Sequence, residues 1–316
     1  FFMLLYTLVI AEIQADRWSE YFDIKNATVA SLHNIEQTIP AILLDPLWNL
    51  LGFNKVKLTP KVFKDRLGVF GEPTSLGIIL GIIIGILGNL NNLTDIDAWG
   101  EVLKFAIQLA AVMTIFPLIT DVFAKAFIPL ADAIDSRQKE EMKEKTHPKR
   151  WFLGIDDGVG YGEPATIISG MILIPIMVLL AFVLPGNRTL PVVDLIALPF
   201  MVESIVAITR GNILKIIANG IIWFSLGLYA SSWLGSVYTE AVSNYGATIP
   251  TGVVLITSFN LMARPLNAVV FAAFISQNPF WIGLCLVIYL VLLFLLRRYR
   301  SQIWSYLRKM SEKNIN

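Results

Sequence analysis

LNAVVFAAFISQNPFWIGLCLVIYLVLLFLL, residues 266–296, decides the fold class, because it carries no charged side chain from end to end. ATIISGMILIPIMVLLAFVLP at 165–185 and SLGIILGIIIGILGNL at 75–90 are equally uncharged. About 18 or more apolar residues match the hydrocarbon thickness of a bilayer. A helix folding in water needs only one apolar stripe, so segments apolar all round would be out of place there. The chain is therefore read as an all-α, multi-span integral membrane protein of the solute-handling kind.

Composition points the same way. The 316 residues are 55% hydrophobic and 16% charged, with a mean hydropathy of +0.65. Soluble chains carry about a quarter charged residues. The net charge of +1 leaves no case for a nucleic-acid binder, whose footprint is a basic patch. One cysteine, Cys285, excludes an intrachain disulfide framework and a cysteine metal cluster. It lies in an apolar run and reads as packing filler. His33 and His147 are the only histidines, too few for a polyhistidine site, and no metal or cofactor is expected.

Phe1-Phe2-Met3-Leu4-Leu5 opens a run that stays apolar only to about Ala11, roughly half a span. It lacks the basic n-region and cleavage site of a signal peptide. It is read as the end of a helix that begins earlier in a longer polypeptide. Full spans are predicted at 76–93, 100–124, 166–185, 190–208, 213–233 and 279–296. Lys55, Lys57, Lys61, Lys64 and Arg66 precede the first, and a mixed-charge stretch from Arg137 to Arg150 follows the second. Arg210 and Lys215 follow the fourth, and Arg297, Arg298, Arg300, Arg308 and Lys309 follow the last. Placing these loops in the cytoplasm satisfies the positive-inside bias and puts the C-terminus there too.

Two regions break the in-out count. Leu234–Asn278 is largely apolar but interrupted by Gly246, Pro250, Gly252 and Pro265. Ala27–Leu51 contains His33, Gln37, Pro40 and Pro46. Both are read as re-entrant hairpins, tolerated at membrane depth where they are buried in protein or line a wet cavity. Transporters place substrate sites on such broken helices. The expected organisation is 1–68 (end of a span, hairpin, basic segment), 69–135 (a Gly-Glu-Pro-led helix pair) and 136–150 (charged cytoplasmic loop). Then come 151–235 (a second such pair plus the following span), 236–278 (broken region) and 279–316 (last span and basic tail). The pairs share a short repeat, Phe70-Gly71-Glu72-Pro73-Thr74 and Tyr161-Gly162-Glu163-Pro164-Ala165-Thr166.

Carboxylates at bilayer depth are functional candidates, because charge is expensive there. Glu72 and Glu163 precede proline at a helix start, where a cap and a ligand contact are both open. Asp156, followed by Asp157, Gly158 and Gly160, suits either a ligand contact or a turn. Asp194 and Glu203 read as hydrogen-bonding between helices. Carboxylates, amides and imidazole together suit a neutral polyol. A proton-coupled carrier would use the same groups.

Gly68-x-Phe70-Gly71-Glu72-Pro73, Ala110-Ala111-Val112-Met113, Gly154-Ile155-Asp156, Pro185-Gly186-Asn187-x-x-Leu190-Pro191-x-x-Asp194-Leu195 and Arg210-Gly211-Asn212 occur in this order. Together they resemble the galactitol-type IIC component of the bacterial sugar phosphotransferase system, over residues of about 60 to 235. The resemblance implies an elevator-type fold of the ascorbate/galactitol IIC kind, a homodimer in the bacterial cytoplasmic membrane, and further spans ahead of Phe1. It implies a permease that binds a hexitol or related sugar for phosphorylation by a cytoplasmic IIB partner carrying a phosphocysteine, itself charged by IIA. The phosphoryl donor residue then lies on IIB. Carried over by motif, Glu72 and Asp156 are the expected sugar contacts. His33 matches a histidine of the family's first hairpin, although Ser31-Leu32-His33-Asn34 differs from the usual Pro-His-Gly. Gln37 shares that hairpin, and Glu163 stands on the internal repeat. An ion-coupled secondary transporter using Glu72, Glu163 and Asp156 is the alternative.

Overall fold

The computed structural model describes residues 1–56, 58–144, 151–191, 194–246, 248–249, 251 and 253–312. Its elements begin with helix α1 (Phe2–Phe22), strand β1 (Ala27–Val29) and helices α2 (Leu32–Ile35), α3 (Thr38–Leu50), α4 (Pro60–Leu67), α5 (Pro73–Gly88) and α6 (Ile96–Glu144). Strand β2 (Leu153–Ile155) follows, then helices α7 (Pro164–Val183), α8 (Leu198–Met201), α9 (Glu203–Thr209) and α10 (Ile213–Asn244). Helices α11 (Phe259–Met262), α12 (Pro265–Ile275), α13 (Pro279–Arg298) and α14 (Arg300–Glu312) complete the order. His147, the 145–150 part of the charged loop, Pro250 and Gly252 lie outside the described residues.

Helices α6, α7, α10 and α13 are long and apolar enough to cross a membrane, and α5 and α12 are apolar but shorter. Proline opens α5, α7, α12 and α13, where its missing N–H costs nothing and its fixed φ suits the first turn. Glycine at every fourth position of α5 lets that helix lie directly on α6. A Cβ at Gly77 would stand 2.8 Å from the Cα of Ala110, and one at Gly85 2.9 Å from that of Val102. Such close approach favours van der Waals packing where lipid removes the hydrophobic drive between helices.

Several expectations need correction. The fold is mostly helical rather than all-α, because β1 and β2 form a parallel pair with Ala27 opposite Leu153 and Val29 opposite Ile155. The predicted span 190–208 is not one helix. It is a 3-10 turn at Asp194–Ala197 followed by the short α8 and α9. The Asp194 carboxylate makes hydrogen bonds between segments, as its sequence reading expects, accepting from Ser258 Oγ at 2.9 Å and from the backbone N–H of Asn260 at 3.3 Å. Gly170 of α7 admits Pro199, since a Cβ there would lie 2.6 Å from the Cα of Pro199. Helix α10 runs through Trp233 to Asn244, and α6 continues well past residue 124.

Nor does α1 stop near Ala11. It runs to Phe22 because the polar residues that follow are paired. Glu12, Asp16 and Glu20 recur every fourth residue, which puts them on one helix face. They accept from Arg297 at 2.6 Å, Arg300 at 2.8 Å and Arg308 at 3.2 Å, tying α1 to α13 and α14.

The Arg210-Gly211-Asn212 motif has a structural task. Arg210 and Gly211 take positive φ, and a Cβ on Gly211 would run into the hydroxyl of Tyr21. Asn212 then caps α10 through the N–H of Lys215 at 3.1 Å and donates to the carbonyls of Phe53 and Val56, each at 3.3 Å. The centre of the molecule is α9, in which every residue from Glu203 to Thr209 is buried.

Candidate functional site

The parallel strand pair builds the site. Two strands running the same way end side by side, so the residues after β1 meet those after β2. Ser31, Leu32 and His33 follow β1, and Asp156 and Asp157 follow β2. His33 Nε2 pairs with Asp157 Oδ2, and Ser31 Oγ donates to the same carboxylate oxygen at 3.2 Å. Asp157 is buried and His33 half-buried. A neutral imidazole that donates from Nε2 carries its lone pair on Nδ1, a group able to accept from a hydroxyl.

Gln37 lies one helical turn beyond His33 and is fully buried. Its Nε2 donates to the carbonyl of His33 at 2.9 Å. Its Oε1 is buried without a hydrogen-bond partner. Between them, Glu36 reaches across to the start of α12, accepting from the N–H of Asn267 at 2.9 Å and of Leu266 at 3.2 Å. An acidic side chain is favoured at a helix N-terminus, where unpaired N–H groups converge. Glu36 lies outside the four long apolar helices, and burial pushes its carboxyl from 4.5 up to about 7 against the opposing effect of those two N–H groups and Arg264. Arg264 also interacts electrostatically with Asp157. Arg264 Nε and Asn267 Nδ2 are, like Gln37 Oε1, buried without partners.

Behind this cluster sits Glu203, fully enclosed. It accepts from Trp18 Nε1 at 2.7 Å and from Asn34 Nδ2 at 3.4 Å. Asn34 in turn accepts the N–H of Ser204 at 2.8 Å, which locks α2 onto α9. Burial, and next the charge of Asp157, hold the Glu203 carboxyl well above the usual range. Gly160 leaves room for it, since a Cβ there would overlap the Glu203 side chain.

The expected site residues divide. His33 and Gln37 come together with Asp157. Asp156 is exposed, and its Oδ1 accepts from the N–H of Gly158 at 2.8 Å, as a turn-maker does. Glu163 caps α7, accepting from the N–H and hydroxyl of Thr166 at 2.7 and 2.9 Å and from the Tyr21 hydroxyl at 2.7 Å. Glu72 sits at the equivalent position before α5, but its side chain does not cap that helix and pairs with Lys64 at 3.1 Å. Among the described residues no group of three His, Cys, Asp or Glu side chains could hold a metal.

Sequence reasoning passed over Asp157, Asn34 and Arg264. One signal for Arg264 was available, because it is the sole charged residue between Glu240 and Arg297. An isolated charge in so long an apolar stretch marks a functional position.

Comparison with known proteins identifies the chain's relatives. The galactitol-specific EIIC component of the PTS of Escherichia coli K12 is 29% identical over 239 residues, covering 75% of this chain and 50% of the relative. The corresponding protein of Escherichia coli O157:H7 matches equally. A putative permease IIC component of Escherichia coli K12 is 28% identical over 200 residues, 63% of this chain and 43% of the relative. The chain thus spans about half the length of the curated relatives it matches. No solved structure matches it. Residues 1–252 match the PTS system sugar-specific permease component, and with four helices long and apolar enough to cross a membrane the chain belongs to that family of membrane permeases.

Proposed function

We propose that this chain binds a neutral polyol or sugar of the galactitol type and carries it across the bacterial cytoplasmic membrane for phosphorylation by a IIB partner, with IIA supplying IIB. The observation that carries this reading is the meeting of His33, Gln37 and Asp157 beside Arg264, on segments that are broken rather than spanning. Unfilled donors and acceptors at Gln37, Arg264 and Asn267 are the complement of a hydroxyl-rich ligand, which both donates and accepts. Asp157 holds the imidazole, and the imidazole holds a hydroxyl in line with the phosphoryl donor. Positioning of that kind supplies much of the catalysis in phosphoryl transfer. Glu72 and Asp156 serve the frame instead of the sugar.

In this reading the re-entrant pieces 27–51 and 245–278 move with the sugar in an elevator-like step. The protein is a homodimer, and the basic end of α13 and α14 faces the cytoplasm. Family membership favours this over an ion-coupled carrier, whose expected residues Glu72, Glu163 and Asp156 are all engaged in pairs, caps or turns.

The test uses inverted vesicles containing the full-length protein, radiolabelled galactitol, purified IIA and IIB, and phosphoenolpyruvate with the general phosphotransfer proteins. Product that depends on IIB and falls sharply in Asp157→Asn supports the reading. Absence of phosphorylated product from galactitol and a panel of polyols and sugars, alongside uptake driven by a pH gradient, would overturn it.

A further inference from the structure

At the end of α13 remote from Asn278, α14 continues beside the later part of α1, and the two leave a cleft of about 580 Å³ between them. Its lining is unlike that of the sugar site. From α1 come Arg17 and Glu20, and from α14 come Trp304 and Arg308.

Its two carboxylates, Asp16 and Glu20, are shared among four guanidiniums, of which Arg17 and Arg308 line the cleft. Glu20 alone serves three guanidiniums: Arg308 at 3.2 Å, Arg17 at 3.9 Å, and Arg210 closer still. Asp16, which also lines the cleft, is paired with Arg300 at 2.8 Å. Arg17 is only 3% exposed. Its Nε and Nη1 make no hydrogen bond, and neither does the buried Nε1 of Trp304. A buried guanidinium with unfilled donors is costly unless something accepts from it. Arg17 and the Trp304 indole put unfilled donors on opposite walls of one cleft, a second mark of a ligand.

A phosphoryl group fits these requirements. It is compact, acceptor-only at its oxygens, and matched by guanidinium geometry. An indole N–H adds a donor that cannot compete as an acceptor. We propose that this cleft binds a phosphoryl anion, held by Arg17 and Trp304 Nε1, with Arg308 at its rim. The source is either a phosphate monoester in solution or the phosphodiester headgroup of an anionic lipid. This site is separate from the sugar site and does not depend on its assignment.

The experiment titrates inorganic phosphate against the purified full-length protein in detergent. Thermal unfolding is followed by tryptophan fluorescence, with chloride balancing ionic strength. In parallel the protein is placed in nanodiscs of phosphatidylcholine with or without phosphatidylglycerol, and retained lipid is counted by native mass spectrometry. The variants are Arg17→Gln and Trp304→Phe, with Arg298→Gln as an exposed control outside the cleft. Should Arg17→Gln fail to fold, Trp304→Phe carries the test, because it deletes one N–H and keeps the ring. Saturable stabilisation by phosphate, weakened about tenfold in Trp304→Phe and unchanged in Arg298→Gln, supports a soluble phosphate source. Retention of phosphatidylglycerol without a phosphate effect, lost in the same variant, supports the lipid source. Binding of neither, or equal losses in Trp304→Phe and Arg298→Gln, would overturn the site.

Discussion

Replacing Lys215 with methionine should unlatch the hairpin that carries His33 and Gln37. Lys215 Nζ lies 2.6 Å from Asp45 Oδ1 and 2.8 Å from Asn49 Oδ1, linking the first turn of α10 to α3. The two charged side chains are 6% and 2% exposed, so water cannot take over for a lost partner. In Lys215→Met the Asp45 carboxylate keeps only the Asn49 Nδ2 donor at 2.7 Å. Breaking a buried ion pair from one side costs about 3–5 kcal/mol, because the surviving charge is left uncompensated. Each 1.4 kcal/mol is about a factor of ten in an equilibrium, and whole domains hold only about 5–15 kcal/mol. The folded-to-unfolded ratio should therefore fall by at least two orders of magnitude relative to wild type. Replacing both partners, Asp45→Leu with Lys215→Met, removes the charge together with its partner and should recover most of the loss. Unfolding in mixed detergent–SDS micelles, followed by tryptophan fluorescence, measures wild type, Lys215→Met, Asp45→Leu and the double variant. A single variant within about 1 kcal/mol of wild type, or a double variant no better than the sum of two singles, would refute the reasoning.

Other expectations follow from single contacts. Gly160→Ala forces a methyl into the Glu203 side chain and should cost about 1–3 kcal/mol by overpacking, measured in the same micelles. Glu163→Ala removes the cap of α7 and should cost about 1 kcal/mol while sugar affinity stays within twofold by equilibrium dialysis. Glu36 has a folded-state pKa raised from 4.5 to about 7. The folded state therefore holds its proton more tightly, and the stability this contributes is present below pH 4.5 and lost as pH rises through 7. Glu36→Gln should flatten that part of the stability profile, and an unchanged slope between pH 5 and pH 8 would contradict the assignment.

Membrane character was legible because it rests on long uncharged runs, such as residues 165–185, and length alone decides them. Proline and glycine were a weaker guide, since α3 continues through Pro46, while the described part of 246–278 holds the short helices α11 and α12. The span expected at 190–208 failed because hydropathy does not register that Asp194 is claimed by Ser258 and Asn260, far along the chain. The continuation of α1 past Ala11 failed similarly. Its acidic stripe looks like the end of a helix until the arginines of α13 and α14 are set beside it. The residues of the proposed site were half legible. His33 and Gln37 share a turn and could be seen together, but their partner Asp157 arrives through a strand pair of three residues each. Strands so short leave no period to read. Neighbouring Asp156 drew attention through its motif, and its Oδ1 accepts from the N–H of Gly158 in a turn.

The most direct test of the account is equilibrium binding of radiolabelled galactitol to the purified full-length protein, comparing Gln37→Ala and Asp157→Asn with Glu72→Gln and Asp156→Asn. Gln37→Ala removes a hydrogen bond at the sugar and Asp157→Asn loosens the imidazole that holds it, so each should weaken binding about tenfold or more, while the second two should bind as wild type does. Loss of binding in Glu72→Gln or Asp156→Asn, with Asp157→Asn unaffected, would contradict the account and return the site to the Gly-Glu-Pro and Gly-Ile-Asp motifs.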